Sequence, residues 1–261
     1  MVAVMKMSFT RLVLLVAAAI LITAGPAGAA EGEGVKPTYY LNEKILNLVF
    51  MAGESMAVDG GTLIRKDAGE LNLPGGQIVA CDVVGPCNYS AHFTTAVAPG
   101  KYPAAAFIKN FNDGDRRTAL AAVFFSAAKA ARWELAVTSR ADPAELKAGE
   151  FFGYPVDAGT GGFMSAEAAA YYEKSIDWPS GGVVSRQLLN KFEEADKIKD
   201  YTPVINLVID SKNDLNLIAV HSGYGDGYYP SYFGYDADGR ICCLVTDFLI
   251  FDEKQAAGAG D

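Results

Sequence analysis

The sequence predicts an α+β fold, mainly antiparallel β-sheet arranged as a sandwich or a partly closed barrel, with two or three short helices in the middle of the chain. Three observations support this prediction. Short β-type runs separated by Gly, Pro, Asn and Asp dominate the chain from about residue 39 to residue 251. Neighbouring runs are joined by four-residue loops of turn-forming residues, as in antiparallel hairpins. Helix-capping patterns fall within residues 142–197.

The strands follow from these runs. Hairpins are expected where residues 211–214 join runs 204–209 and 215–220, where 236–239 join 229–235 and 240–251, and where 98–101 join 93–97 and 102–111. Further strands are expected at residues 77–81, 117–125 and 132–138. No linker rich in Ser, Pro and charge divides the chain, so residues 39–252 are expected to form a single β-rich domain.

Three helices are predicted from their first residues. Asp142 is a good N-cap because Pro143 follows at the first helical position. Ser165 is expected to cap a helix over residues 166–174. A third helix is expected over 185–197, where Leu188, Leu189 and Phe192 form an apolar stripe.

The amino-terminal segment is typical of an export signal. Lys6 and Arg11 are followed by the apolar run 12–24 and by the small residues 27–29, so residues 1–29 are predicted to be a cleaved signal peptide. Residues 30–38 then read as a polar tether and residues 253–261 as a flexible tail. Removing residues 1–29 would remove two basic and no acidic side chains, changing the net charge from −9 to −11. We therefore expect an exported protein, periplasmic or secreted, without a stable membrane anchor.

The acidic composition restricts the choice of partners. The chain has 22 basic and 31 acidic residues, whereas binding to a phosphate backbone depends on clustered Lys and Arg. Nucleic acid is therefore not an expected partner. With two histidines and no C-x-x-C or H-x-x-x-H pair, no metal site and no cofactor is predicted either.

Two glycine-rich segments are the candidate site. Residues 222–228 contain three glycines around Asp226, and residues 156–162 contain Asp157 and Thr160. Glycine lets the backbone adopt positive φ or approach a ligand closely, and an aspartate there can accept hydrogen bonds. Because both segments follow predicted strands, Asp157 and Asp226 are hypothesised to line one cleft. The alternative is that both segments are tight turns and the aspartates only stabilise those turns.

Tyrosines surround these segments and are candidate ligand contacts. Tyr224 and Tyr228 are predicted to take part in recognition, because tyrosine combines apolar area with a polar tip, whereas Phe233 is expected in the core. The predicted binding residues are Tyr154, Thr160, Tyr224, Gly225, Gly227 and Tyr228.

Asp247 lies in a run that is apolar on both faces. Such an acid must be paired, hydrogen-bonded or at the rim, because an isolated buried charge is costly. It is either a general acid or base or the partner of a salt bridge, with Arg132 as one candidate. An ion pair between Arg132 and Glu134 on one strand face is the expected structural role of those two residues.

Four cysteines in an exported chain predict disulfides. Four cysteines allow three connectivities, and spacing favours only a local bond between Cys81 and Cys87. Cys242 and Cys243 are adjacent in a strand, so their side chains are expected to point to opposite faces and a bond between them would be strained.

Four segments go beyond a general fold and resemble a known family. They are LPGGQIVACD (73–82), ARWELA (131–136), GEFFGYPVDAGTGGFM (149–164) and SGYGDGYYPSYFGYDADGRICCLVTDF (222–248). The chain resembles the domain of unknown function 4241 family, found mostly in bacteria, over roughly residues 73–251. The resemblance implies a shared fold and shared loops but no reaction.

Three functions remain open at this point. The first is a module that binds a glycan, peptide or envelope protein through its Gly, Tyr and Asp loops. The second is a hydrolase in which Asp157 and Asp226 act as acid and base, and the third is an inhibitor or immunity-type protein. The absence of a Ser, His or Cys catalytic motif favours binding, although carboxylate enzymes need no such motif.

Overall fold

Two antiparallel sheets and a layer of helices make up the described part of the chain. The computed structural model of the protein describes residues 39–85, 91–177 and 181–251, all within the unit Pro37–Asp261. The predicted signal peptide, tether and tail lie outside the described residues, as does Cys87. None of the described helices is long and apolar enough to cross a membrane.

The elements, in chain order, are three α-helices and fifteen strands within the described residues. The helices are α1 (Glu43–Leu46), α2 (Ala166–Lys174) and α3 (Val183–Lys197), with 3₁₀ turns at Asn47–Phe50 and Pro143–Glu145. The strands are β1 (Ser55–Val58), β2 (Gly61–Leu73), β3 (Ile78–Cys81), β4 (Gly100–Phe111), β5 (Arg116–Phe124), β6 (Arg132–Leu135), β7 (Tyr154–Val156), β8 (Thr160–Ser165), β9 (Ile176–Asp177), β10 (Gly181–Gly182), β11 (Val204–Asp210), β12 (Leu215–His221), β13 (Gly227–Tyr229), β14 (Ser231–Tyr235) and β15 (Ile241–Asp247).

The strands form a large sheet, a smaller sheet and two short ribbons. The large sheet has the order β1-β2-β4-β5-β15-β14-β6, and the smaller one has the order β11-β12-β8-β3. The ribbons pair β10 with β9 and β13 with β7. All pairings are antiparallel, as predicted, and the sheets do not close into a barrel.

Strands β3, β8 and β12 of the smaller sheet are buried on both faces, so burial along them does not alternate. On β3, Ile78 and Ala80 pack into the core shared with the large sheet, whereas Val79 and Cys81 pack against the helices. Strand β12 repeats this pattern, with Ile218 facing the shared core. Successive side chains of a strand point to opposite faces, so the molecule has three layers: large sheet, small sheet and helices.

Helix α2 begins where its sequence predicts, whereas α3 begins two residues earlier than expected, at Val183, and Leu189 of its predicted apolar stripe is exposed. The Ser165 hydroxyl accepts a hydrogen bond from the Ala168 N–H at 3.0 Å and so caps α2. On α3, Val184, Leu188 and Phe192 lie four residues apart and are buried. This spacing places one apolar stripe against the small sheet. The predicted cap at Asp142 is also confirmed, although the helix that follows is a single 3₁₀ turn.

Two asparagine side chains connect the sheets. The Asn206 amide donates to the backbone carbonyls of Ala68 and Glu70 on β2, at 2.8 and 3.0 Å. The Asn216 amide donates to the Glu70 carbonyl at 2.8 Å and accepts from the Asn72 N–H at 2.9 Å. Strands β1 and β2 were absent from the sequence prediction because the charged stretch 65–70 of β2 lacks apolar alternation.

The predicted hairpin at residues 98–101 is wrong. Strand β4 begins at Gly100 and pairs along its length with β2, in a register that joins Gly100 to Leu73. Residues 93–97 are not a strand; Phe93 forms only an isolated bridge with Thr138. Local turn residues predicted a short connection here, but the partner strand comes from 27 or more positions earlier in the chain.

Two other predicted strands are shorter than expected. The run 229–235 is interrupted at Pro230, which separates β13 from β14, and the run 240–251 ends as a strand at Asp247. The two hairpin loops at 211–214 and 236–239 are confirmed. In the second, the Asp236 carboxylate accepts from the N–H groups of Asp238 and Arg240, both at 2.9 Å, which is turn chemistry.

The expectation that Cys242 and Cys243 point to opposite faces is wrong. A bulge shifts the register between Gly234 and Tyr235 at this point, and the two buried sulfur atoms lie 4.0 Å apart. A bulge breaks the two-residue alternation of side chains. No disulfide joins two of the described cysteines.

Asp247 is 1% exposed and is held by hydrogen bonds rather than by Arg132. Its carboxylate accepts from the Leu249 N–H at 2.8 Å and from the Tyr40 hydroxyl at 3.4 Å. Arg132 instead forms the expected ion pair with Glu134. The Asp247 carboxylate therefore caps the turn that ends β15.

Candidate functional site

The two glycine-rich segments meet at a corner where the chain leaves the small sheet. Strands β12 and β8 pair as far as His221 and Thr160, and the ribbon of β13 and β7 then begins with Gly227 opposite Val156. Residues 157–159 and 222–226 form the two loops between these pairings. The loops therefore lie side by side, between the β8–β12 pairing and the β7–β13 pairing.

Gly159 joins the two loops directly. Its carbonyl accepts from the Ser222 N–H at 3.0 Å, and its own N–H donates to Asp226 Oδ1 at 3.1 Å. The 222–226 loop is also bonded internally. The Gly225 carbonyl accepts from the hydroxyls of Ser222 and Tyr229, both at 2.8 Å. These contacts, with positive φ at Gly223 and Gly225, hold the loop in one shape.

A buried carboxylate that the sequence analysis missed organises the other loop. Asp82, which follows β3, is 9% exposed. Its Oδ2 accepts from the N–H groups of Asp157 and Ala158 at 2.9 and 2.7 Å, and its Oδ1 accepts from the Thr160 hydroxyl at 2.7 Å. Oδ1 also accepts from the N–H groups of Val84 and Gly85 at 3.1 and 3.2 Å. Five donors thus converge on one side chain.

The predicted catalytic pair, Asp157 and Asp226, lies near the contact between the two loops, and neither side chain lines the cleft beside Tyr224. Both Asp157 and Asp226 are exposed. Asp226 accepts the Gly159 N–H, and Asp157 takes part in the corner through its backbone N–H rather than through its carboxylate.

Two of the predicted binding residues face the interior. Thr160 is 3% exposed, and its hydroxyl is bound to Asp82. Tyr154 is 8% exposed, and burial raises the pKa of its hydroxyl well above the usual range. Gly227 lies in β13, and Gly225 occupies the turn with a φ of 109°.

Tyr224 and Tyr228 are the most exposed aromatic side chains of the corner, at 51% and 59%. Tyr224 lies beneath the Arg117 guanidinium, whose carbon is 5.4 Å from the ring centroid. Stacking of this kind orients both side chains at a modest energetic gain. The corner therefore presents two aromatic rings from a hydrogen-bonded frame.

A cleft of about 290 Å³ opens beside Tyr224. Its walls are formed by the start of β5, the end of α3, the end of β12 and the 222–225 loop. The side chains that line it include Arg116, Arg117, Thr118, Asp196, His221 and Tyr224. Sequence reasoning missed the two arginines because they lie at residues 116–117, about 100 positions before the loop they approach. Only the resemblance of the segment 73–82, which ends at Asp82, pointed to the buried carboxylate.

His221 lies in this cleft with its ring 4.6 Å from that of Phe192. Removal of water by burial lowers the pKa of His221 from the usual 6.5, and the Gly159 carbonyl, Asp196 and Asp200 oppose that change. The charged groups that face the ring from the other cleft walls are Arg116 and Arg117.

We expect His221 to make stability depend on pH. The folded state favours the neutral ring, so this contribution is complete above about pH 6.5 and is lost as the pH falls through the lowered pKa of the folded state. Measured from pH 8 to pH 5, the free energy of unfolding of wild type should fall relative to that of His221→Gln as the pH decreases. A stability of wild type that rises relative to the variant towards acid would contradict this assignment.

Among residues 39–85, 91–177 and 181–251, no group of three or more His, Cys, Asp or Glu side chains is placed to hold a metal ion. Two other hollows described elsewhere on the surface, of about 230 and 600 Å³, are lined mainly by apolar side chains.

Fold and site together define an antiparallel two-sheet protein with a helical third layer and a rigid, tyrosine-bearing corner. The chain belongs to the family described as Protein of unknown function (DUF4241), whose sequence profile matches residues 71–246. The match includes Asp82, both loops and the arginines of β5. Comparison with curated proteins and with solved structures found no match.

Proposed function

We propose that this protein is an exported binding module that captures a glycan, a peptide or an envelope protein at the corner formed by residues 157–159 and 222–228. The single observation that carries the proposal is the exposure of Tyr224 and Tyr228 on a loop held by hydrogen bonds. Preorganised aromatic side chains lose little conformational entropy on binding and stack well on sugar rings or partner side chains.

The other two functions receive less support. In the hydrolase alternative, Asp157 and Asp226 are the acid and base, but Asp226 already caps Gly159 and neither side chain lines the cleft. An inhibitor or immunity-type role would use the same exposed tyrosines against a protein surface. It is therefore an outcome of the binding test rather than a separate proposal.

A glycan array and a peptide and envelope-protein panel test binding, with the variants Tyr224→Ala and Tyr228→Ala. Each variant should lose about tenfold in affinity for the captured ligand, as expected for an aromatic anchor. Stability should change by about 0.5 kcal/mol or less, because both side chains are exposed. Tyr171→Ala is the matched control, since Tyr171 is exposed on α2 away from the corner. Capture that neither corner variant weakens would contradict the proposal.

A hydrolase substrate panel with wild type and Asp226→Asn separates binding from turnover. Binding without turnover supports the module. Turnover that Asp226→Asn abolishes would instead support the enzyme.

Export is a separate part of the proposal and has its own measurement. The sequence pattern of residues 1–29 supports it. Cell fractionation and amino-terminal sequencing should find the chain outside the cytoplasm, beginning near Ala30. A mature chain that begins at Met1 and stays in the cytoplasm would overturn this part.

A further inference from the structure

The cleft beside Tyr224 contains a pair of arginines at the start of β5. Arg116 is exposed and forms no ion pair with a described residue. Arg117 binds Asp115 through Nε at 2.8 Å, and its guanidinium also lies over Tyr224. Hydrogen bonding to Arg117 lowers the pKa of Asp115, so that pair is stable as an ion pair at neutral pH.

Thr118 adds a polar group that the fold leaves unsatisfied. The residue is 1% exposed and lines the same cleft, yet its hydroxyl has no hydrogen-bond partner among the described residues. Burying a hydroxyl without a partner is energetically unfavourable. A bulge explains its position, because Leu120 pairs with Phe107 and Thr118 with Ile108, which leaves Ala119 as the extra residue.

The loop opposite supplies backbone donors. The N–H groups of Gly223 and Tyr224 donate to no described residue, whereas their neighbours Ser222 and Gly225 both donate within the corner. Gly223 is buried and has a φ of 41°, and consecutive N–H groups in such a turn form a concave surface that binds anions.

The balance of charge in the cleft differs from that of the whole chain. Asp196, at the end of α3, is its one acidic lining residue among the described residues, against Arg116 and Arg117. The chain as a whole carries a net charge of −9. Because Arg117 is paired with Asp115, the cleft is close to neutral, and with the unpaired Arg116 it repels an anion less than the rest of an acidic surface does.

We propose that this cleft is the subsite for an anionic group, a carboxylate or a phosphate, on the ligand that the corner captures; the inference rests on the function proposed above. Arg116 and Arg117 supply the forked donors that match such an anion. The Thr118 hydroxyl and the N–H groups of Gly223 and Tyr224 gain an acceptor, and Tyr224 places an aromatic ring beside the charged group. A cleft of about 290 Å³ accommodates the anion with a small attached moiety.

The test uses the chain itself, with inorganic phosphate in one arm and acetate in the other, at constant ionic strength. The protein has two histidines, of which His221 lines the cleft and His92 bonds to the Phe93 carbonyl elsewhere. We expect the ring resonances of His221 to shift saturably with at least one of the two anions, while those of His92 stay unchanged. The anion that binds more tightly identifies the chemical class.

Variants make the assignment specific. Arg116→Gln combined with Arg117→Gln should weaken binding at least about tenfold, and Arg116→Gln alone provides a milder version at an exposed position. Thr118→Val should weaken binding about threefold or more yet leave the thermal midpoint unchanged or higher, because it removes an unsatisfied hydroxyl. Asp196→Asn should strengthen binding about twofold by removing the acidic side chain.

Three results would overturn the subsite: no saturable shift with either anion, equal shifts at His221 and His92, or unchanged binding in the double arginine variant. Its failure can be distinguished from failure of the binding function. Ligand capture that depends on Tyr224 but not on the arginines rejects the subsite alone. Anion binding through the arginines without any effect of the tyrosine variants on capture rejects the proposed function alone.

Discussion

Replacing Asp82 with alanine is expected to lower the free energy of unfolding by about 3 kcal/mol or more, the largest effect of any side chain at the corner. The carboxylate accepts five hydrogen bonds, and its removal leaves the N–H groups of Asp157 and Ala158 and the Thr160 hydroxyl without their acceptor. Chemical denaturation followed by circular dichroism measures the loss. The variant should also bind more weakly at the corner, because the 157–159 loop loses its anchor.

The matched control is Asp157→Ala. Asp82 contacts the backbone N–H of residue 157 rather than its exposed side chain, so this variant should stay within about 0.5 kcal/mol of wild type. Asp82→Asn should fall between the two, because one oxygen remains to accept. Equal stability of Asp82→Ala and Asp157→Ala would show that the buried carboxylate does not organise the corner.

Gly162→Ala is expected to cost about 3 kcal/mol and to reduce the yield of soluble protein. Gly162 lies on β8 between β12 and β3, opposite Ala219 and Cys81. An added Cβ would stand 1.9 Å from the Ile218 carbonyl oxygen and 2.8 Å from Val83 Cγ1. Neighbouring strands on both sides prevent the backbone from moving away, so the clash is not relieved.

Gly182→Ala provides the comparison. There the nearest atom to an added Cβ is 3.4 Å away, an ordinary contact, and φ is negative. The change should cost about 1 kcal/mol or less. The midpoints of thermal unfolding of the two variants separate a packing requirement at Gly162 from a general cost of replacing glycine. Similar midpoints would contradict the packing explanation.

Gly162 also shows where sequence reasoning succeeds and where it fails. The prediction treated residues 156–162 as one ligand loop because glycines and Asp157 lie together. The structure divides them: residues 157–159 form the loop, and Gly161 and Gly162 lie in β8, where glycine is required by neighbouring atoms. A glycine that lets a neighbouring strand approach closely and a glycine that forms a turn look alike in the sequence. The pattern alone therefore cannot distinguish the two roles.

The elements that were predicted correctly depend on local interactions. Ser165 caps α2 through a residue three positions away, and the 236–239 turn is closed by Asp236 within the same loop. The elements that were missed depend on distant partners. Strand β2 is stabilised by pairing with β4 and by amide bonds from β11 and β12, none of which leaves a periodic pattern in residues 61–73.

The same distinction applies to the candidate site. Local composition singled out the tyrosines and the loop of residues 222–228, which the structure leaves exposed at the corner. It also selected Thr160 and Tyr154, which are buried, because spacing does not reveal which side of a strand faces the core. Asp82 and the arginines of β5 become visible only when three separate parts of the chain are brought together.

The way in which Asp82 holds the corner has a consequence for divergence within the family. At residues 157 and 158 the carboxylate contacts peptide N–H groups, which every residue except proline possesses. Mutations at these exposed positions therefore leave the frame intact, and the same holds for the rings at 224 and 228. A chain that keeps the aspartate and the buried glycine is therefore free to exchange the outward-facing residues without having to evolve a new scaffold.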